Sequence, residues 1–317
     1  VGDMGENYLV TGGAGFIGSH VVDALIRDGK IPIVVDNLSS GKIENLDPRA
    51  LFYQQDITDC EMMERIFMLH KPKAVFHLAA QISVSKSVRE PEEDARVNII
   101  GTIRLLQMAI KYGVRKVIFS STGGAIYGDD VKKIPTDENE FPKPLSPYGI
   151  AKFSTENYLR FFAGEHGFKY ATLRYANVYG PRQDPHGEAG VVAIFSRRML
   201  KGENVVIFGD GECVRDYVYV EDVARANLLA MERLENDTVN IGTAIGTSVN
   251  GLFEKMKVTS GYSKEAIHEA PRPGDLKKSI LNYSKASTLL DWEPSVPLEK
   301  GLEKTIEYFR NELETLK

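Results

Sequence analysis

The sequence is poor in the residues that build disulfide and metal scaffolds. Of its 317 residues only two are cysteines, Cys60 and Cys213. They lie far apart with no C-x-x-C spacing, which excludes a disulfide framework and points to a reducing, cytoplasmic compartment. The six histidines are scattered, with no H-E-x-x-H and no Cys/His cluster, so no metal is expected. No apolar run reaches the roughly 18 residues of a membrane span. The opening Val1 to Asn7 is too short and too acidic for the apolar core of a signal segment. Positive charge is not in excess: the net charge is -5, which argues against a nucleic-acid partner. An anionic ligand must therefore be caught by a few placed Arg or Lys side chains. Internal repeats and low-complexity segments are also missing.

What is present is an ordinary globular composition, 43% hydrophobic and 26% charged. The length suffices for an α/β core plus a smaller second lobe. Short apolar, β-branched runs alternate with amphipathic stretches, the pattern of βαβ units around a parallel sheet covered on both faces. Strands are predicted at Tyr8–Val10, Ile31–Val35, Ala74–His77, Val117–Phe119 and Tyr170–Leu173. Helices are predicted at Ile17–Arg27, Met62–Leu69, Ala95–Tyr112 and Tyr148–Ala163, with a last one over Leu298–Leu316. Pro181 to Gly190, rich in Pro, Gly and polar residues, reads as a long functional loop.

Between the first strand and first helix stands Val10-Thr11-Gly12-Gly13-Ala14-Gly15-Phe16-Ile17-Gly18. Glycines there allow a tight turn and close backbone approach, and the helix N-terminus offers free N–H donors to a pyrophosphate. The second strand ends in Asp36, where a carboxylate accepts hydrogen bonds from ribose hydroxyls. It would also repel a 2′-phosphate, which favours NAD over NADP. The fold class is thus α/β, a doubly wound parallel (Rossmann) sheet with a smaller mixed α/β domain.

Tyr148-Gly149-Ile150-Ala151-Lys152 opens a helix, and its i, i+4 spacing puts phenol and ammonium on one face. A free Tyr, with pKa of about 10, is too weakly acidic to serve as a base near neutrality. A cation within about 4–6 Å lowers such a pKa, and a positively charged nicotinamide pushes the same way, so Lys152 together with the oxidised cofactor is expected to make Tyr148 a usable base. After the strand around Phe119 come Ser120, Ser121 and Thr122, hydroxyls at the carboxyl end of a central strand, where open α/β sheets bind ligands. Either Ser121 or Thr122 can supply a hydroxyl partner for the base.

With these motifs the sequence resembles the extended short-chain dehydrogenase/reductases, and among them the UDP-glucose (UDP-galactose) 4-epimerases most closely. The likeness runs from Tyr8 past Trp292. It includes His77-Leu78-Ala79-Ala80, Asn98-Ile99-Ile100-Gly101-Thr102, Leu173 to Pro181, Val214-Arg215-Asp216-Tyr217-Val218 and Arg272-Pro273-Gly274-Asp275. The resemblance implies an NAD-binding domain over residues 1–180 and a UDP-sugar-binding domain over 181–317, with segments near 213–245 returning to the first. It implies that Gly12, Gly15, Phe16, Ile17, Gly18, Asp36, Asn37, Ser39, Ser40, Gly41, Asp56, Ile57, Leu78, Ala80, Gln81 and Asn98 line the NAD pocket with Tyr148 and Lys152. Tyr148 is then the base, with Thr122 as its partner. Asn177, Arg215, Arg272 and Asp275 would hold the UDP-sugar, an arginine fork suiting phosphate oxygens.

Departures from the family's pattern are informative. A lysine that some epimerases place near the nicotinamide ribose is replaced by Ile82 or Ser83. Val191-Val192 stand where some relatives have an Asn pair, so backbone groups would serve the nucleotide. Family dehydratases carry an Asp-Glu pair after the Thr, decarboxylases a Glu, and epimerase-reductases an added Cys/His pair. This chain has Gly123 and Gly124 there, which leaves the minimal machinery of a 4-epimerase. The alternatives are another UDP-sugar (UDP-GlcNAc, UDP-glucuronate or a UDP-pentose) or a dehydratase/reductase. Ser279 aligns with a position where some epimerases have a bulky Tyr, so N-acetyl sugars are expected to be tolerated. The resemblance also implies a homodimer through the 95–112 and 148–163 helices, with Ile103, Leu106, Ile110, Phe153, Phe161 and Phe162 at hand.

Overall fold

The computed structural model describes residues 6–186, 190–271 and 276–315. The chain first lays down β1 (Asn7–Thr11), β2 (Ile31–Asp36), β3 (Leu51–Gln54), β4 (Ala74–His77), β5 (Lys116–Thr122) and β6 (Lys169–Tyr175). It then forms β7 (Asn177–Tyr179), β8 (Val206–Phe208) and β9 (Val214–Tyr219) outside that sheet and returns for β10 (Asp237–Ile241). β11 (Gly246–Ser248), β12 (Ile267–Glu269) and β13 (Lys278–Ser279) follow. The main sheet has seven parallel strands in the order β10-β6-β5-β4-β1-β2-β3. Its topological switch lies between β1 and β4, where a crevice opens at the carboxyl ends of the strands.

Alternate side chains of each strand point to opposite faces, and both faces are buried. Tyr8, Val10, Val34, Phe76, Ile118 and Leu173 join one core with the helices Phe16–Arg27 and Val220–Arg233. Leu9, Ile33, Val35, Val75, Val117 and Phe119 join the other, under the helices Cys60–His70, Thr102–Lys111 and Pro147–His166. This is why the strands read as nearly unbroken apolar runs. A third core, with Tyr179, Phe195, Tyr217, Phe253 and Ile306, fills the smaller lobe beneath β7, β9, β11 and β13.

The strands expected in the first half are present, one with the expected bounds and the others longer by one to four residues. β3 and β10 escape the sequence pattern. β3 is a four-residue edge strand with two exposed positions, so it lacks a buried run. β10 opens with Asp237 and Thr238, and its apolar content is only Val239 and Ile241. The single helix expected over Ala95–Tyr112 is instead a short helix Pro91–Ala95, a π-helical turn Arg96–Gly101 and the helix Thr102–Lys111. Such a widened turn inside a helix often marks a functional position. Here it carries Asn98. Among the described residues no helix is long and apolar enough to cross a membrane.

Candidate active site

The glycine turn at the end of β1 is shaped by close approaches that only glycine permits. Gly12 has φ +70°, and a Cβ there would lie 2.7 Å from the Ala79 nitrogen. A Cβ on Gly18 would collide with the Gly12 carbonyl, so the first helical turn sits directly on the loop. Gly15 caps that helix without a side-chain hydrogen bond, which leaves the first-turn N–H groups, from Phe16 and Ile17 onward, to an outside acceptor. Asp36, buried at the end of β2, accepts from the Ala14 N–H at 3.0 Å and the Leu38 N–H at 2.8 Å. Gly41 packs against its carboxylate, where a Cβ would come within 2.9 Å of Oδ1. These features fit a dinucleotide: a bare helix end for the pyrophosphate, and a fixed carboxylate beside it for the adenosine ribose.

Most of the other residues expected to line the NAD pocket follow the carboxyl ends of β2, β3 and β4. Asn37 is exposed and donates to Asp56 Oδ2 at 2.8 Å, and its own oxygen accepts from the Ser39 N–H. Burial acts to raise the Asp56 pKa, but hydrogen bonds from Thr58 and Asn37 and the Arg96 charge outweigh it and lower the pKa. Ser40 is exposed beside Gly41, and Ile57 is buried against Gly101. Leu78 and Ala80 are half-buried just beyond β4, with the Leu78 N–H on the Thr11 carbonyl. Gln81 and Asn98 form a ring: the Gln81 N–H donates to Asn98 Oδ1, and Asn98 Nδ2 donates to the Gln81 carbonyl, both at 2.9 Å. Asn45 was missed from the sequence. Its buried amide donates to the Ala14 carbonyl at 2.9 Å, so the Ala14 peptide is held from both sides.

Ser146 caps the Pro147–His166 helix by accepting from the Gly149 N–H, which starts the helix just before Tyr148. The Tyr148 N–H donates to Ser87 Oγ at 3.2 Å. Lys152 is buried one turn on. Its ammonium donates to the Ser120 carbonyl at 2.9 Å and lies 4.8 Å from the Phe119 ring centre and 5.9 Å from that of Tyr148. The expected depression of the phenol by Lys152 is not what the protein's own groups produce. Burial pushes the Tyr148 pKa up, and the Asp94 carboxylate adds to this. Burial also brings Lys152 down to about 8, against the opposing pull of Asp94 and Glu156. The cause is the burial of both groups, with the ammonium directed at the Ser120 carbonyl and the Phe119 ring.

The hydroxyls of the β5 end divide cleanly. Ser121 is buried and donates to Glu156 Oε1 at 2.6 Å. Thr122 is half-buried at the strand end and caps the following turn by accepting from the Ala125 N–H at 3.2 Å. Glu156 in turn holds Arg174 in a buried two-pronged ion pair, 3.0 Å at Nε and 2.6 Å at Nη2. Arg174 Nη1 reaches the Tyr127 hydroxyl, which donates to Asn240. Sequence reasoning missed this chain, although Glu156 continues the i, i+4 line from Tyr148 through Lys152.

On the substrate side, Asn177 opens β7 opposite Tyr217 of β9. Val191 and Val192 form the first turn of the helix Val191–Leu200. The Val192 side chain enters the third core, and the helix start again lacks a side-chain cap. Arg215, partly buried on β9, pairs in register with Thr247 of β11 and Ser279 of β13. Asp216, another residue missed, fastens these strands by accepting from the Thr243 N–H and hydroxyl, the Ala244 N–H and the Leu281 N–H. Arg272 and Asp275 lie outside the described residues. A Cβ on Gly123 would collide with Leu281. One on Gly124 would meet only Thr122 Oγ1 at 3.9 Å and Ser279 Oγ at 4.0 Å.

A dinucleotide cradle and a buried Tyr-Lys pair at the carboxyl ends of one parallel sheet define a nucleotide-dependent enzyme of the short-chain dehydrogenase type, and the comparisons agree. The chain belongs to the NAD dependent epimerase/dehydratase family, whose pattern it matches over residues 8–242. Within that family it is similar to the UDP-glucose 4-epimerase of Thermotoga maritima, solved with UDP-glucose: 68% identity, TM-score 0.96, covering 97% of this chain and 99% of that one. The UDP-glucose 4-epimerase of Thermus thermophilus, solved with NAD, is 45% identical with TM-score 0.92, over 96% and 99% of the two chains. The UDP-N-acetylglucosamine 4-epimerase of Methanobrevibacter ruminantium, solved with UDP-N-acetylmuramic acid, is 38% identical with TM-score 0.92, over 97% and 99%.

Proposed function

We propose that this enzyme interconverts UDP-galactose and UDP-glucose by inverting C4 through a 4-keto sugar, with NAD kept bound throughout. What supports the reading is Tyr148 and Lys152 one helical turn apart, with Thr122 at the end of β5 followed by two glycines. Gly123 and Gly124 carry no side chain, and a Cβ on Gly123 would press on the Leu281 side chain, so the acid and base that a dehydratase needs after the threonine are missing there. NAD held in the cradle supplies the hydride acceptor and donor for C4. Tyr148 moves the proton at O4, and Thr122 orients that oxygen by donating or accepting a hydrogen bond. Lys152 keeps positive charge beside the phenol. Arg215 and the backbone N–H groups at Val191 and Val192 hold the UDP end. Binding energy is thus spent on the nucleotide, and the sugar ring stays loose enough to present either face. Incubation with UDP-galactose and no added NAD should yield UDP-glucose, with the same final ratio reached from either sugar. An accumulating 4-keto product or released NADH would contradict the reading.

The reading extends to a second substrate class on one feature of the site. Ser279, small and beside Arg215, lines the wall next to Thr122 where a larger side chain would intrude. UDP-GlcNAc should therefore turn over too, and Ser279→Tyr should abolish that activity while sparing UDP-galactose. No turnover of UDP-GlcNAc by the wild type would rule this out.

A homodimer is part of the same reading, supported by Ile100, Ile150, Tyr158 and Phe161, all exposed on or beside the two helices in question. Leu106 does not contribute, because it is fully buried in the core of the subunit. Sedimentation at micromolar concentration should give twice the mass of one chain, and a monomer would contradict it. The unpaired Cys60 and Cys213 support a reducing, cytoplasmic setting.

A further inference from the structure

One buried charge beside the site has no part in the chemistry above. Asp94 lies in the short helix Pro91–Ala95, which packs against the Tyr148 helix, and it is 1% exposed. Its Oδ1 accepts from Gln81 Nε2 and Asn98 Nδ2, each at 2.9 Å. Both donors are neutral, and among the described residues no Lys or Arg forms an ion pair with it. The same neighbourhood is tied to the catalytic helix at two more points. Ser87 takes the Tyr148 N–H, and the Asn98 carbonyl accepts from Thr155, which follows Lys152 by three residues. The π-helical turn places Asn98 where it can serve the carboxylate, Gln81 and Thr155 together.

We propose that Asp94 is the built-in counter-charge of the Tyr148–Lys152 pair, a positioning residue that sets the pH range in which the pair works. A buried carboxylate with only neutral hydrogen-bond donors keeps its field, and the helix that carries it packs against the helix that carries the buried ammonium of Lys152. Burial raises the Asp94 pKa, while Gln81, Lys152 and Asn98 pull it back. The other charged and titratable groups facing the pair are few. Glu156, from the same helix, acts on Lys152 and is shared with Arg174. His77, at the end of β4, lies between the Thr11 and Thr102 hydroxyls and is brought down to about 3 by burial and then by Lys152, so it stays neutral.

The sign follows from one charge acting on two groups. A nearby anion raises the pKa of both the phenol and the ammonium, so its removal lowers both. Asp94→Asn keeps an acceptor oxygen for Gln81 and Asn98 and removes the charge. The acidic and alkaline limbs of kcat against pH should then move together to lower pH, each by about one unit. A role confined to packing would lower the plateau and leave both limbs in place. Stability gives an independent reading. Because the Asp94 pKa is raised on folding, its ionised form costs stability at neutral pH, and the Asn variant should melt no lower than wild type.

This inference rests on the 4-epimerase reading for its kinetic arm only. The Lys152 titration can be followed without turnover by NMR of 13C-labelled lysines, with Lys152→Met identifying the resonance. A midpoint lower in Asp94→Asn than in the wild type supports the proposal even if UDP-galactose proves a poor substrate. An unchanged or raised midpoint, or limbs that stay fixed or move apart, overturns it.

Discussion

Tyr148→Phe is expected to lower turnover by about 10²- to 10⁴-fold, the range for losing a positioned proton-transfer group, while the protein still folds and still carries NAD. The substitution removes one oxygen and little else. The ring keeps its place near Lys152, and the backbone N–H keeps its bond to Ser87. Burial holds the phenol pKa above its ordinary value, so the wild type needs additional positive charge, such as an oxidised nicotinamide brings, before the proton leaves. The check is kcat for UDP-galactose across pH, together with the NAD content of the purified variant. A loss of less than about tenfold would remove Tyr148 from the proton-transfer role. A loss explained by missing NAD would show that the residue serves binding instead.

Glu156→Ala is expected to destabilise the fold by about 3–5 kcal/mol, the usual cost of stranding one member of a buried ion pair. Arg174 would keep its charge in a site where its side chain is 7% exposed, with, among the described residues, the Tyr127 hydroxyl left to accept from it. The damage should also reach the site, because Glu156 receives the hydroxyl of Ser121, the neighbour of Thr122. Replacing both partners, Glu156→Leu with Arg174→Met, removes the stranded charge and should recover much of the stability. Denaturant midpoints of the single and double variants decide the matter. A single variant within about 1 kcal/mol of wild type would mean that water or a new partner reaches Arg174.

The cofactor half of the site was legible because its requirements are local. A strand, a glycine turn, a helix and an acidic residue at the end of the next strand lie within 36 residues, and each has a distinct residue signature. The Tyr148–Lys152 spacing is local for the same reason. What stayed hidden depends on residues brought together from far apart in the chain. Asp94 meets Asn98 and Gln81 through a π-helical turn that no apolar periodicity announces. Glu156 and Arg174 are ordinary charges in sequence, and only the adjacency of the catalytic helix to β5 and β6 buries them together. Asp216 and Asn45 likewise act through backbone groups of segments distant in sequence. Ser121 and Thr122 differ in direction, which the sequence does not show: consecutive strand residues face opposite ways, and Ser121 faces Glu156.

On the 4-epimerase reading, the hydrogen at C4 leaves and returns within one enzyme molecule while Tyr148 moves only the O4 proton. UDP-galactose deuterated at C4, incubated in ordinary water with no added NAD, tests this directly by mass spectrometry of the UDP-glucose formed. The account predicts that the deuterium is retained at C4 of the product. Product carrying solvent hydrogen at C4, or no product unless NAD is supplied afresh, would contradict it.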